Sequence, residues 1–360
     1  MNAALRPRRV PAAAAAGDAG AAPGQTTMRT TMRATMQAIV QRRYGTVPED
    51  VFRLERIAKP VPARDEALIR VAAAGVDRGT WHLMSGLPYL ARIAGAGLRA
   101  PRLPVPGWAV AGTVEAVGSD VTGLEPGDEV FGTCRGSFAQ YTATKATRLA
   151  PRPASLTFEQ AAAVPISAVT ALRALRDHAK LRPGQHVLVI GAGGGVGTYA
   201  VQLAKAFGAE VTGACGAAKT DLVRALGADH VVDYTREEPA DGRHRYDVVI
   251  DIGGNRPVAQ LRRALGPKGT LVLTGNEDGG AWFGGLGRNL HAQLLSLFVS
   301  QRLTSFFAPE SRADLMTLGD LADSGAITPA IDRTYPLSQA AAAVRHVIDG
   351  RARGKVVITV

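Results

Sequence analysis

A glycine-rich loop is the segment whose residues point most directly to a chemical role. It follows Val187–Ile190, a short apolar run typical of a strand, and leads into a segment with the apolar spacing of a helix. Gly194 and Gly197 would let backbone amides approach phosphate oxygens, and the positive end of the helix would favour an anion there. The sequence therefore predicts a site for a dinucleotide pyrophosphate. Its candidate residues are Ala192, Gly193, Gly194, Gly195, Val196 and Gly197.

The end of the next predicted strand, Glu210–Ala214, indicates which dinucleotide is bound. NAD sites place an acid at this point, where it accepts hydrogen bonds from the ribose 2′-hydroxyl and repels a 2′-phosphate. Here the small, neutral Cys215 stands at that point, and Lys219 follows it as a charge that could neutralise a phosphate. These residues favour NADPH over NADH. The alternative for Lys219 is an exposed lysine in the first turn of a helix.

Two patterns surround this loop, and they predict an α/β protein with two kinds of sheet. Before the loop, short strand-like runs punctuated by proline and glycine predict an antiparallel β domain. After it, apolar strands alternate with helices, which predicts a parallel, doubly wound Rossmann sheet. The early runs are MQAIV, VFRLERI, EALIRVAAAGV, AGTVEAVGS and DEVFG, followed by a helix that opens on a cap at Ser155. The later strands are Glu210–Ala214, Asp229–Asp233, Asp247–Asp251 and Thr270–Thr274, and the chain adds a helix at Ser338–Asp349 and a strand at Lys355–Val360.

Length and composition are consistent with two globular domains. A chain of 360 residues that is 46% hydrophobic can fill two cores. No uncharged apolar run reaches the roughly 20 residues needed to cross a bilayer. Cys134 and Cys215 are the only cysteines, which excludes a disulfide scaffold and a four-cysteine zinc lobe and fits a reducing cytoplasm.

The net charge of +11 suggests an anionic partner. Residues 1–35 hold five arginines and one aspartate, and the remaining charge is spread without a basic cluster or interleaved aromatic residues. Attraction of an anionic cofactor explains that spread, and a nucleic-acid partner is disfavoured. Residues 1–35 also lack apolar periodicity, so we expect a disordered extension; an organellar transit peptide is the alternative.

The order of these pieces resembles the medium-chain dehydrogenase/reductase superfamily, specifically its zinc-free quinone oxidoreductase branch, over residues 36–360. The resemblance implies a partly barrel-like, GroES-like catalytic domain made of residues 36–163 and 302–360. A Rossmann nucleotide-binding domain, residues 164–301, would be inserted between them, with the active site in the cleft. The motifs that carry the resemblance are MQAIVQRRYG, VAAAGVDRGTWHLMSG, VPGWAVAGTVEAVGSDV, PGDEVFG, SLTFEQAAAVPISAVTALRAL, RPGQHVLVIGAGGGVGTYAVQLAKAFGAEV, LGADHVVDYT and GKVVITV.

The same resemblance implies residues for the cleft. Tyr44 would donate a proton or a hydrogen bond, and Asp77 and Thr80 stand where relatives have an Asn-x-x-Asp pattern. These three are the catalytic candidates. Aromatic side chains would line the substrate, although core packing is the alternative for the tryptophans. The lining candidates are Trp81, Trp108 and Tyr89, and the further cofactor candidates are Tyr234, near the 2′-phosphate in related quinone reductases, and Thr170.

No metal is expected. Zinc alcohol dehydrogenases of the superfamily use a Cys, a His followed by Glu, and a second Cys. The corresponding positions here are Asp77, Trp108–Ala109 and the stretch around Ile166–Ser167. A catalytic zinc needs three converging protein ligands, which these residues do not offer. His82 is then a core or cleft-lining residue rather than a ligand.

Without a metal, a hydride acceptor must delocalise the incoming electrons, as a quinone or an α,β-unsaturated carbonyl does. We therefore expect an NADPH-dependent, zinc-independent quinone or enone reductase. The same fold supports an enoyl-thioester reductase or an NAD(P)-dependent alcohol dehydrogenase. An alternative of another class is an NADPH-sensing or nucleic-acid-binding protein without turnover. A homodimer is expected because relatives extend the nucleotide-binding sheet across a two-fold axis, and Leu294–Val299 is a strand-like run that could pair there; an internal strand is the alternative.

Overall fold

The computed structural model describes residues 34–275, 280–306 and 311–360. The strands are β1 Thr35–Gln41, β2 Phe52–Ala58, β3 Glu66–Val76, β4 Ala109–Val117, β5 Glu129–Thr133, β6 Tyr141–Lys145, β7 Leu149–Pro151, β8 His186–Ile190, β9 Glu210–Cys215, β10 His230–Asp233, β11 Tyr246–Asp251, β12 Leu265–Leu273, β13 Arg302–Ser305, β14 Ile331–Pro336 and β15 Lys355–Thr359. The α-helices are α1 Pro48–Val51, α2 Arg78–Ser85, α3 Tyr89–Ala91, α4 Phe158–Ala163, α5 Ser167–Arg173, α6 Gly195–Ala206, α7 Thr220–Ala225, α8 Val258–Arg263, α9 Gly280–Phe283, α10 Leu286–Leu295, α11 Arg312–Asp323 and α12 Ala340–Ile348. Shorter 3-10 turns lie at Ala146–Arg148, Ala217–Lys219 and Leu337–Gln339, and π-helical turns at Arg92–Ala96 and Ala174–Ala179.

One sheet is parallel throughout. Its six strands run in the order β10-β9-β8-β11-β12-β13, and every neighbouring pair is parallel. The strand order reverses between β8 and β11, at the middle of the sheet. Dinucleotides bind at the carboxyl ends of the strands beside such a reversal. The predicted doubly wound sheet is confirmed, and its reversal point lies next to the glycine loop.

The second sheet has seven strands and is mostly antiparallel. Its order is β14-β15-β3-β4-β5-β7, with β6 paired to β3, and β14 and β15 run parallel to each other. The late strand β15 pairs directly with β3, so residues from both parts of the chain complete this sheet. Strands β1 and β2 form a separate antiparallel pair. The predicted β-rich, GroES-like region is confirmed.

A single hydrophobic cluster joins the two sheets. It contains Phe131 from the antiparallel sheet, Val189 from the parallel sheet, and Leu172 of α5, all fully buried. Because α5 packs on α6, the first helix after the glycine loop is anchored in the same cluster. The segments that border the cofactor loop are therefore held by common packing.

Two predicted boundaries need correction. Thr35 begins β1, so the predicted extension of residues 1–35 is too long, and residues 1–33 lie outside the described residues. Strand β13 pairs in parallel with β12, although residue 302 was the expected start of the second catalytic segment. Alternation of strand and helix continues through β13, and the nucleotide-binding sheet therefore extends to Ser305.

The helix after residue 155 has a different cap from the predicted one. Thr157 is the N-cap of α4, and its hydroxyl and the Gln160 side chain form a reciprocal capping box. The Ser155 hydroxyl instead donates to Asp323 at 2.7 Å. A Thr followed three residues later by Gln is the stronger capping pattern, because both side chains satisfy backbone amides.

The predicted strand at Leu294–Val299 is wrong. Leu294 and Leu295 are the last residues of α10, and the chain then turns. A short apolar run does not distinguish a strand from a helix end. The spacing of Leu286, Leu290 and Leu294 by four residues was the signal for a helix. None of the described helices has the length and apolarity to span a membrane.

Candidate functional site

The glycine loop connects β8 to α6 in a shape that larger residues cannot adopt. Gly191 has a φ of 90°, in the left-handed region that favours glycine. A Cβ on Gly197 would overlap the carbonyl oxygen of Gly191 and lie 2.7 Å from Cα of Ala192. Gly194 is the N-cap of α6, and the first amides of a helix have no partner within it. The loop is therefore a narrow cradle that presents amides to an anion, which fits the pyrophosphate of a dinucleotide.

Lys219 lies against this cradle. A Cβ on Gly193 would come within 2.7 Å of the Lys219 Cβ, so the two residues are in close contact. Its Nζ donates to the carbonyl oxygen of Gly350 at 2.9 Å. Burial lowers the pKa of Lys219, and the ammonium is half-buried. A cation at this point can pair with a phosphate near the end of β9.

Cys215 and Tyr234 meet beside Lys219. Cys215 is buried, which raises the pKa of its thiol and makes it a spacer rather than a nucleophile. The Tyr234 amide donates to the Cys215 carbonyl at 3.1 Å, and the Tyr234 hydroxyl lies 3.2 Å from the point that a Cβ on Gly216 would take. The neutral end of β9 thus lies next to Tyr234 and is followed by Lys219.

Asp77 is at the N-cap position of α2, and its carboxylate is bound by two side chains from distant parts of the chain. Its Oδ1 accepts from the Ser167 hydroxyl at 2.9 Å and from the Lys355 ammonium. Thr80 is buried one turn further along, and its amide donates to the Asp77 carbonyl at 2.9 Å. Sequence analysis did not identify Lys355 or assign Ser167 a role in binding Asp77.

Tyr44 holds the segment after α3. Its hydroxyl lies 2.9 Å from the carbonyl oxygen of Ala96 and 2.7 Å from that of Gly97, and donates to this pair. Burial raises the pKa of Tyr44, while the Arg92 guanidinium, 4.2 Å from the ring centroid, acts in the opposite direction. The phenol is therefore protonated at neutral pH, and in this structure its proton is directed to backbone carbonyls.

Arg92 and an aromatic pair connect the residues around Tyr44. Arg92 also lies 4.7 Å from the ring centroid of Tyr89, and its guanidinium donates to the carbonyls of Ser85 and Gly86, each at 2.9 Å. Tyr89 in turn meets Trp282 of α9 edge to face, with ring centroids 5.3 Å apart. Tyr44 and Tyr89 are thus brought together through Arg92, which sequence analysis missed. The contact links α3 to α9 on the nucleotide-binding side.

The two tryptophans, His82 and Thr170 differ in their burial and in their partners. Trp81 is partly buried against the core cluster that includes Met84, and its ring is edge-on to His82 at 5.0 Å. The Nδ1 of His82 lies 3.1 Å from the Leu87 carbonyl oxygen, so this histidine has a structural partner. Trp108 precedes β4 and is 37% exposed. Thr170 lies in α5, where its hydroxyl donates to the Ile166 carbonyl at 2.8 Å.

A buried ion pair lies at the carboxyl end of β11. Asp251 is fully buried, pairs with Arg288 of α10 and accepts from the Gly254 amide at 3.4 Å. Burial raises the pKa of Asp251, while Arg288 favours its ionised form. This edge of the sheet is where a dinucleotide would lie. The sequence placed Asp251 at a strand end but offered no local signal for Arg288.

These residues do not fit a catalytic zinc. Asp77 accepts from an internal ammonium, and the other two ligand positions carry Trp108–Ala109 and Ile166–Ser167, which supply no thiol or imidazole. Within residues 34–275, 280–306 and 311–360, no three His, Cys, Asp or Glu side chains converge as metal ligands. Zinc prefers such N and S donors in a tetrahedral set.

Comparison with known proteins identifies the family to which the two-domain fold and the glycine loop belong. The family model described as "Alcohol dehydrogenase GroES-like domain" matches residues 63–154, and the one described as "Zinc-binding dehydrogenase" matches residues 226–358. A 2-methylene-furan-3-one reductase from Solanum lycopersicum is 34% identical over 88% of this chain and 76% of that protein. The chain belongs to the medium-chain dehydrogenase/reductase superfamily. As a superfamily member it is a nicotinamide-dependent oxidoreductase.

Solved structures of the superfamily resemble this one along nearly the whole chain. The quinone oxidoreductase from Coxiella burnetii has a TM-score of 0.81 and 26% identity, covering 91% of this chain and 100% of that one. The Escherichia coli quinone oxidoreductase complexed with NADPH has a TM-score of 0.77 and 27% identity, with the same coverage. The resemblance stated from sequence motifs is therefore confirmed.

Proposed function

We propose that this chain is a zinc-independent, NADPH-dependent reductase of quinones or α,β-unsaturated carbonyls. The observation that carries the proposal is the glycine cradle, whose neighbouring strand ends in Cys215 and whose wall is Lys219. The names of its relatives, a furanone reductase and quinone oxidoreductases, support the same acceptor classes.

Cofactor specificity follows from charge at the end of β9. β9 itself ends in a neutral residue, Cys215, and Lys219 and Tyr234 would hold a 2′-phosphate beside it. The carboxylate of Asp233, at the end of β10 opposite Cys215, is held by the Thr235 hydroxyl and amide. The Lys219 ammonium would exchange its bond to the Gly350 carbonyl for a phosphate oxygen, a stronger charge-assisted bond. Gly194, Gly195 and the first turn of α6 would hold the pyrophosphate.

Bound NADPH supplies the hydride. The chain must orient the acceptor and stabilise negative charge on its oxygen. Thr80 lies in the first turn of α2, and its hydroxyl would donate to the acceptor carbonyl, while Asp77 at the N-cap would hold that turn in place. Trp81 and Trp108 offer faces for a flat ring. Tyr44 would donate a hydrogen bond if the loop segment at Ala96 moved away and released its hydroxyl. An activated acceptor suits this site, since a quinone or enone delocalises the incoming charge without a Lewis acid.

A homodimer is part of the proposal. The end of α10 and the turn after it expose Leu290, Leu294, Leu297 and Phe298, with Leu297 76% and Phe298 83% exposed. An apolar face of this size on a nucleotide-binding domain favours a self-complementary contact across a two-fold axis. We also propose a cytoplasmic location, supported by two cysteines that are both buried and form no disulfide.

The decisive experiment follows NADPH and NADH oxidation at 340 nm in buffer treated with a chelator. The acceptors are one quinone, one enone, one enoyl thioester and one simple aldehyde. We expect turnover of the quinone or the enone with NADPH, unchanged by chelation. Activity that is lost on chelation and restored by zinc would contradict the zinc-free assignment. Tight NADPH binding without turnover of any acceptor would favour a sensing role instead.

A further inference from the structure

A buried lysine of the antiparallel sheet lies beside the cofactor loop. Lys355 is only 2% exposed, although it carries a charge. Its Nζ donates to the Asp77 carboxylate, to the Ser167 hydroxyl at 3.0 Å and to the Val76 carbonyl at 3.2 Å. An ammonium has three N–H groups, so all of its donors are used.

The cluster of Lys355, Asp77 and Ser167 fixes three segments in one arrangement. Lys355 begins β15, Asp77 follows β3 and Ser167 begins α5. Burying a charge is costly unless it is paired and fully hydrogen-bonded, and here the ammonium meets both conditions. Loss of either charge would leave the other without an oppositely charged partner, so the arrangement has little freedom to change.

The same lysine also lies against the cofactor loop. A Cβ on Gly195 would lie 3.1 Å from Cδ of Lys355 and 3.2 Å from the Ser167 hydroxyl oxygen. The Gly354 amide donates to the Gly193 carbonyl at 3.0 Å. One side chain thus contacts the first residue of α6 and, through Asp77, the start of α2. These are the cofactor side and the acceptor side of the proposed cleft.

We propose that Lys355 is a positioning residue for hydride transfer. Its ammonium fixes Asp77, and with it the first turn of α2 that carries Thr80, at a set distance from the glycine loop. Asp77 stands where the resemblance places the first zinc ligand, so an internal cation organises the acceptor side at this position. With all three donors used inside the protein, Lys355 acts through Asp77 and not on the substrate. The proposal rests on the reductase function proposed above.

The test compares Lys355→Met with Lys205→Met. Lys205 also pairs with a carboxylate, that of Asp229 at 2.8 Å, but near the far end of α6 and partly exposed, so its variant is the matched control. We expect Lys355→Met to lower kcat on the order of 100-fold, because small misplacement of reacting groups has effects of this size. The acceptor KM and the NADPH dissociation constant should each change less than about threefold. With deuterated NADPH, the isotope effect on kcat should exceed the wild-type value, since hydride transfer becomes the slowest step.

Two results would overturn the proposal. One is a kcat and isotope effect equal to those of the wild type and Lys205→Met. The other is a loss explained entirely by weaker NADPH binding, which would make Lys355 part of the cofactor cradle. Should Lys355→Met fail to fold, Ser167→Ala removes one hydroxyl from the same cluster and should show a smaller loss of the same kind. Unchanged kinetics in that variant would also count against the proposal.

A readout without turnover separates this proposal from the reductase function. If the wild type reduces none of the four acceptors, the function proposal fails, and amide hydrogen exchange then tests the cluster. Exchange at residues 77–85 in the cofactor-free protein should be faster in Lys355→Met than in the wild type and Lys205→Met. Equal exchange in all three proteins would show that Lys355 does not position α2.

Discussion

Two lysines lie against the glycine loop, and their partners give them different roles. Lys219 donates to one backbone carbonyl and is half-buried, so it can turn to a phosphate. Lys355 is buried and has a carboxylate, a hydroxyl and a carbonyl as partners, so its ammonium is fixed. The number of partners, rather than the charge, distinguishes a ligand-binding lysine from a positioning one.

Lys219→Ala should weaken NADPH binding far more than NADH binding. The lost charge-assisted contact to the 2′-phosphate corresponds to about 1–3 kcal/mol, or roughly 5- to 150-fold in the dissociation constant. Tryptophan fluorescence titration with both cofactors measures the difference. The control is Lys268→Ala, which removes an exposed lysine within β12 and should change neither dissociation constant. Equal weakening for both cofactors would contradict the assignment of the 2′-phosphate site.

At the scale of elements, sequence predicts what local patterns determine and misses what distant contacts determine. The β8–loop–α6 unit was predictable because strand, glycines and helix adjoin in the chain. Lys355 begins an apolar strand, where an exposed lysine is common, and its partner Asp77 lies 278 residues away. Leu294–Val299 was mistaken for a strand because the run is short and tertiary packing, not β propensity, decides its conformation.

Gly197→Ala should destabilise the protein and weaken NADPH binding. The added methyl group would overlap the Gly191 carbonyl, and forcing a side chain into such a packed contact typically costs about 1–3 kcal/mol. Thermal unfolding and NADPH titration provide the two measurements. Gly287→Ala in α10 has open space around the new methyl group and gains helix propensity of up to about 1 kcal/mol. Equal melting temperatures for the two variants would show that position 197 does not need glycine for close packing against the Gly191 carbonyl.

At the scale of the whole molecule, one set of exposed apolar side chains lies along α9, α10 and the turn after α10, on the nucleotide-binding side. Trp282 and Phe283 of α9 are exposed, and the face of α10 continues this surface to Phe298. Scattered exposed apolar residues are ordinary on a monomer, but a contiguous set along one helix is typical of an interface. Formation of a dimer would therefore bury the exposed apolar side chains of α9 and α10.

Leu294→Glu should dissociate the proposed homodimer. In a two-fold contact both protomers would bury the new carboxylate. Each of the two charges would lose its hydration, and the two would repel each other. Light scattering coupled to size-exclusion chromatography gives the mass directly. Leu54→Glu on β2 introduces the same charge at another exposed leucine and should leave the mass unchanged. A wild-type protein with the mass of one chain would contradict the dimer.

The bond between Gly354 and Gly193 has a consequence for how the protein is made. It joins two backbone positions about 160 residues apart in the chain. The contact between Gly354 and the glycine loop is therefore missing while the residues between them are still being synthesised. At about 5–20 residues per second, that interval is on the order of 10–30 s. The parallel sheet can form during this time, but the ribosome must first release residue 355. We therefore expect the complete cofactor site to form late in biosynthesis, after the nucleotide-binding strands have paired.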